Sequence, residues 1–143
     1  MSFREAIEQT PLLKLALKNG LQALRESNII KPKDTQKCEG SVDIDTALEE
    51  KYPNVSRWDY AVGYDGRSYF IEIHPADTSE VKAVLNKLEW LKSFLRKDAS
   101  ELDKEPKSFH WIATGGVHIT RGGREARQLA ERGIDLLQKV LSL

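Results

Sequence analysis

Two carboxylates and a histidine stand at a spacing that could do chemistry together. Asp59 and Glu72 flank a run centred on Asp65-Gly66, and His74 lies two residues beyond Glu72. Asp-Gly tolerates the positive φ angles of a two-residue type I′ turn, so the runs from Arg57 to Tyr64 and from Arg67 to His74 are expected to pair as a hairpin. Tyr64 then opposes Arg67, and stepping back along the ladder brings Asp59 opposite Glu72. Facing residues have Cβ atoms about 5 Å apart, and like charges there repel unless something positive lies between them. A divalent cation would serve. Two carboxylates, with His74 farther along the same face, would leave a hard ion free positions for water and a phosphate oxygen, as Mg²⁺ prefers, and Mn²⁺ accepts the same donors. The competing reading makes Arg57, expected to oppose His74, the neutralising partner in a surface ion pair worth under about 1 kcal/mol.

Period-two alternation puts Trp58, Tyr60, Val62 and Tyr64 with Tyr69, Ile71 and Ile73 on an apolar face that reads as core. Asp59, Ala61, Gly63, Phe70, Glu72 and His74 share the other face, where the small Ala61 and Gly63 leave room for a ligand or a helix. The elements around the hairpin follow from pattern. A first helical region starts near Phe3, restarts at Thr10-Pro11, and carries Leu13, Leu17, Leu21 and Leu24 at helical spacing, interrupted at Asn19-Gly20. Residues 31–40 read as a loop. A helix is expected from Val42 to Lys51, capped by Ser41 or Asp43 and ended by Pro53. After His74-Pro75, the residues Val81, Val84, Leu85, Leu88, Leu91 and Leu95 mark a long amphipathic helix to Lys97. Phe109 to Thr114 reads as a strand parallel to the one ending at His74, because strand, helix, strand implies a right-handed crossover. Val117 to Ile119 suits one more short strand, and a last helix is expected from about Thr120–Gly123 to the C-terminus, with a break at Gly133.

The chain has 143 residues, 22 basic and 22 acidic side chains and one cysteine, Cys38. That is enough for one core without disulfide or metal staples, and one cysteine fits a reducing, cytoplasmic setting. The first residues lack an apolar signal segment, and no run of about 18 apolar residues suits a membrane span. We therefore expect one domain, with residues 1–40 an N-terminal helical region and loop, 41–114 the core and 115–143 a C-terminal helical region. Net charge is zero, which argues against a uniformly basic nucleic-acid binder, but the charges are segregated. Residues 1–37 hold seven basic and four acidic groups, residues 38–80 three and ten, and residues 81–143 twelve and eight.

A helix with carboxylates, then Asp59, twelve residues, Glu72-Ile73-His74, a long helix and another strand resembles the core of the PD-(D/E)XK nuclease superfamily. That family places an acid and a (D/E)-x-K triplet on adjacent strands of a mixed sheet and cuts nucleic acids with Mg²⁺. The resemblance implies an α/β, restriction-endonuclease-like fold over residues 41–114, with Asp59 and Glu72 as metal ligands and Glu49 or Asp45 as an auxiliary carboxylate. His74 stands where the motif lysine belongs, as proton acceptor, third ligand or bystander. Some members carry the lysine on the following helix, which makes Lys82 and Lys87 candidates. Metal held by Asp59 and Glu72 would polarise a phosphodiester and activate a water for in-line attack. DNA or RNA would be the partner, and a homodimer is suggested by analogy.

Elsewhere, Arg121 and Arg124 at the start of the last helix are candidate phosphate contacts beside Gly122-Gly123, against a solvated helix face as the ordinary reading. His110 and His118 meet no motif. The rival functional class is a non-enzymatic interaction or structural protein that keeps a nuclease-like fold.

Overall fold

The computed structural model describes all 143 residues. The Asp65-Gly66 turn sets its geometry. Asp65 (φ 47°) and Gly66 (φ 78°) both adopt left-handed backbone, as a type I′ turn requires, and join strand β2 (Tyr60–Tyr64) to β3 (Arg67–Ile73) in the register Tyr64↔Arg67 to Tyr60↔Ile71. A preceding strand, β1 (Cys38–Asp43), pairs antiparallel with β2. Two further strands, β4 (Lys107–Ala113) and β5 (Ile134–Gln138), add in parallel beyond β3. The five-stranded mixed sheet therefore runs β1-β2-β3-β4-β5 in chain order, and the protein is α/β.

Helices α1 (Phe3–Glu8), α2 (Pro11–Lys14), α3 (Ile44–Ala47), α4 (Val81–Asp98), α5 (Ser100–Asp103) and α6 (Arg124–Glu131) complete the chain. Ser2 starts α1 with a capping box to Glu5. The long crossover helix α4 buries Val81, Val84, Leu88, Leu91, Phe94 and Leu95 at the spacing expected of one apolar face. No helix is long and apolar enough to cross a membrane.

Both faces of the sheet are covered, and the larger core lies on the face that carries the acids. Ala61 and Phe70 join a cluster of 25 buried residues with α1 and α4, whereas Val62 and Ile71 belong to a cluster of seven with Leu24, Ile29, Ile30 and Leu141. Period two separates the faces but cannot rank them in a sheet buried on both sides. Trp58 precedes β2 and turns into the larger core, away from the face that alternation assigns it. The space above Gly63 is filled by a helix: a Cβ there would lie 2.4 Å from Phe3 Cγ.

Four sequence expectations change. The stripe from Leu13 to Leu24 is helical only through Lys14, and Gly20 (φ 52°) sits in an irregular stretch. The end of the expected 31–40 loop is already β1. The helix expected over 42–51 shrinks to α3, capped by Asp43 Oδ1, which accepts the Thr46 N–H at 3.0 Å. The final helix ends at Glu131, and Gly133 (φ 82°) turns the chain into β5, so the region 115–143 is not helical throughout.

Candidate active site

Asp59 precedes β2 by one residue, and the hairpin register extended by one rung sets it opposite Glu72. Its carbonyl accepts the N–H of Ile44 at 2.9 Å, so the start of α3 is tied beside it. Its side-chain Oδ2 accepts the N–H of Ile73 at 2.8 Å. Burial, reinforced by the facing Glu72 charge, pushes the Asp59 carboxyl up to about 7. Asp59 also lines a cleft of about 260 Å³ with Arg25, Glu26, Tyr60, Ile73 and Thr114.

Glu72 is fully buried on β3. An isolated carboxylate there would cost several kcal/mol, and the compensation comes from the crossover helix. Lys87 of α4 reaches back over the sheet and donates to Glu72 Oε2 at 2.6 Å. Burial is the largest single influence and works against the Lys87 ammonium, but the charge and hydrogen bond of Glu72, with the charges of Asp59 and Asp45, together outweigh it and raise the lysine above its usual value. The second oxygen, Glu72 Oε1, is buried and has no hydrogen-bond partner.

His74 extends the cluster. Its Nδ1 lies 3.4 Å from Glu72 Oε2 and its Nε2 3.4 Å from Glu80 Oε2. Both are charge contacts, and the buried Nε2 has no hydrogen-bond partner. The neighbouring Glu72 carboxylate holds His74 above its usual value against the effect of burial, and Glu80 assists. Trp111 of β4, which is level with Glu72 in the ladder, donates its indole N–H to the His74 carbonyl at 2.8 Å. The result is a cluster of three acids, Asp59, Glu72 and Glu80, and two bases, Lys87 and His74, with Glu72 fully buried at its centre and Glu80 at its exposed end.

The remaining candidates separate. Arg57 does not neutralise Glu72; its Nε donates to Asp45 Oδ1 at 2.9 Å. Asp45 thus stands next to Asp59 with one oxygen engaged, whereas Glu49 is exposed in the turn after α3. Lys82 is exposed and lines a different groove together with Arg124. Arg121 is exposed in the loop before α6. Of the two lysines named from the sequence, only Lys87 enters the cluster. The second-turn position of Lys87 on a helix that must cross the sheet was the usable signal; Glu80 carried none.

A second polar set sits on β4 and β5. His110 Nδ1 lies 3.0 Å from Asp135 Oδ2, its rung partner, and Nε2 lies 2.8 Å from Ser108 Oγ. Burial lowers His110 below its usual value. No cleft opens on these three residues; they tie two parallel strands.

No three His, Cys, Asp or Glu side chains converge into a ready-made metal cage. Asp59 and Glu72 oppose one another across the extended ladder, and Glu72 Oε1 is a buried oxygen without a hydrogen-bond partner. No protein-family model matches the chain, and neither a curated protein nor a solved structure does.

Proposed function

We propose that the protein is a Mg²⁺-dependent nuclease, or a nucleic-acid-binding protein derived from one, with Asp59, Glu72 and Lys87 as its central residues. One observation carries the reading: two carboxylates opposed on adjacent strands are met by a lysine from the crossover helix, 2.6 Å from Glu72. The order of elements, an antiparallel β1-β2-β3 followed by α4 and a parallel β4, supports the likeness to PD-(D/E)XK nucleases drawn from the sequence. Asp59 and Glu72 would hold the metal, which supplies a polarised phosphodiester and an activated water when bound. Asp59 gives up its proton to bind, so affinity rises as pH passes about 7. Lys87 donates a hydrogen bond to Glu72 and stands beside the site to offset charge developing on the phosphate. His74 occupies the motif-lysine position between Glu72 and Glu80, which favour its cationic form and so a charge-balancing role over that of proton acceptor. Asp45 is the auxiliary carboxylate in preference to Glu49.

The complete burial of Glu72 favours one alternative, a nuclease-like fold in which the charged cluster only binds or stabilises and does not cut. Cleavage of single- and double-stranded DNA and RNA with Mg²⁺ or Mn²⁺ decides between them. The nuclease reading expects metal-dependent cleavage that Asp59→Asn abolishes. Absence of cleavage with every substrate, or cleavage unaffected by Asp59→Asn, rejects it.

A further inference from the structure

The Asp59 cleft borders another of about 350 Å³, with which it shares Glu26 and Thr114 and which continues past Lys31 to Lys139. The wall is built where the two ends of the chain meet: Ile30–Lys31 pairs in parallel with Leu141–Ser142, and the Leu143 N–H donates to the Lys31 carbonyl at 3.0 Å. Arg25, Lys31 and Lys139 line this groove, and none of them forms an ion pair. Two acids, Glu26 and Asp59, stand against three free cations. Lys139 adopts φ 70°, a left-handed conformation uncommon outside glycine and asparagine, and its N–H is pinned to the Ala113 carbonyl at 2.8 Å. A long cationic side chain is thus kept at a position where local backbone preference disfavours it, as happens at functional sites. Tyr60 completes the cleft beside Asp59, its hydroxyl accepting the Arg25 N–H at 3.4 Å.

We infer that this groove is the path of a single polynucleotide strand, with Arg25, Lys31 and Lys139 on successive phosphates and Tyr60 offering a ring face to a base next to Asp59. The inference rests on the nuclease reading for the role of Asp59, but it assigns the strand to the meeting point of the chain ends and away from Arg121 and Arg124. A cleft with spaced cations and one aromatic side chain beside them is the arrangement that grips single strands without reading sequence.

Binding separates this inference from the nuclease reading. Fluorescence anisotropy of a short labelled oligodeoxynucleotide or oligoribonucleotide, single- or double-stranded, is measured with the full-length protein in EDTA, where no metal-dependent cleavage occurs. The inference expects single strands to bind more tightly than duplex. It expects the variant Arg25→Ser/Lys31→Ser/Lys139→Gly to lose at least about tenfold in affinity and about two from the slope of log K against log salt, at roughly 0.7 per phosphate contact. Arg121→Ser/Arg124→Ser should change neither. Arg25→Ser alone, a substitution at an exposed residue, guards against misfolding of the triple variant and should lose part of the same affinity. Equal binding by wild type and the groove variants, a preference for duplex, loss on Arg121→Ser/Arg124→Ser instead, or no binding by the wild type overturns the inference. Groove-dependent binding without metal-dependent cleavage would leave it standing and remove the nuclease reading; metal-dependent cleavage with binding that ignores the groove would do the reverse.

Discussion

Replacing Asp59 with asparagine should make the protein more stable, and increasingly so as pH rises. Asp59 loses hydration and faces Glu72, which raises its carboxyl from 3.8 to about 7 in the folded chain. Below 3.8 the group is protonated in both folded and unfolded chains, and its contribution is intact. Between 3.8 and about 7 only the unfolded chain ionises, so stability falls by about 1.4 kcal/mol per pH unit until the folded pKa is passed. Asparagine keeps an oxygen to accept the Ile73 N–H and carries no charge. Its advantage over wild type should therefore grow by about 3 kcal/mol between about pH 5 and pH 8.5, the part of the titration that lies above pH 5. Urea denaturation of both proteins across that range measures the difference directly, with the other titrating groups cancelling between them. Mg²⁺ at the higher pH should stabilise wild type and not the variant, narrowing the gap. A stability difference that stays flat with pH, or that favours wild type at high pH, would refute the burial argument for Asp59.

Removing Lys87 should expose the cost of the charge it answers. Lys87→Met leaves Glu72 fully buried without its closest cation and should cost about 3–5 kcal/mol by urea denaturation, with Lys87→Met/Glu72→Gln recovering most of it; a loss below about 1 kcal/mol would mean the pair behaves as an exposed one. Histidine titrations followed by NMR should place His74 above and His110 below the usual value near 6.5, because Glu72 favours the cation of one and burial opposes the cation of the other. The sign for His74 follows: its contribution to stability is present below 6.5 and is lost as pH rises through its folded pKa, so the reverse order of the two histidines would contradict the site geometry. Gly63→Ala should destabilise by about 1–3 kcal/mol or more, since its methyl would collide with the Phe3 ring and push α1 off the sheet; a neutral thermal melt would show that α1 is not held there.

The parts of the fold that local chemistry dictates were legible from the residues alone. Asp65-Gly66 favours a type I′ turn over the longer loops that would also join the strands, and that turn fixes the register that sets Asp59 against Glu72. The apolar spacing of Val81 to Leu95 defines α4 but does not choose between Lys82 and Lys87. What escaped was decided by tertiary partners. Cys38–Asp43 contains glycine, serine and two acids and becomes a strand because β2 offers it a ladder. Ile134–Gln138 has leucines that also suit a helix, and only the turn at Gly133 and the open edge of β4 make it β5. The same limit applies to the site. Alternation puts both acids on one face but cannot show that α4 seals Glu72 there, or that Arg57 turns to Asp45. The groove depends on the pairing of residues 30–31 with 141–142, partners far apart in the sequence for which no local signal exists.

Mn²⁺ binding followed by electron paramagnetic resonance tests the central claim most directly, because it asks whether Asp59 and Glu72 hold a metal without requiring knowledge of the substrate. The account predicts one bound ion per chain, affinity that rises as pH passes about 7, and loss of binding in Asp59→Asn and in Glu72→Gln. No bound Mn²⁺ at any pH in that range, or binding that both variants retain, would contradict it.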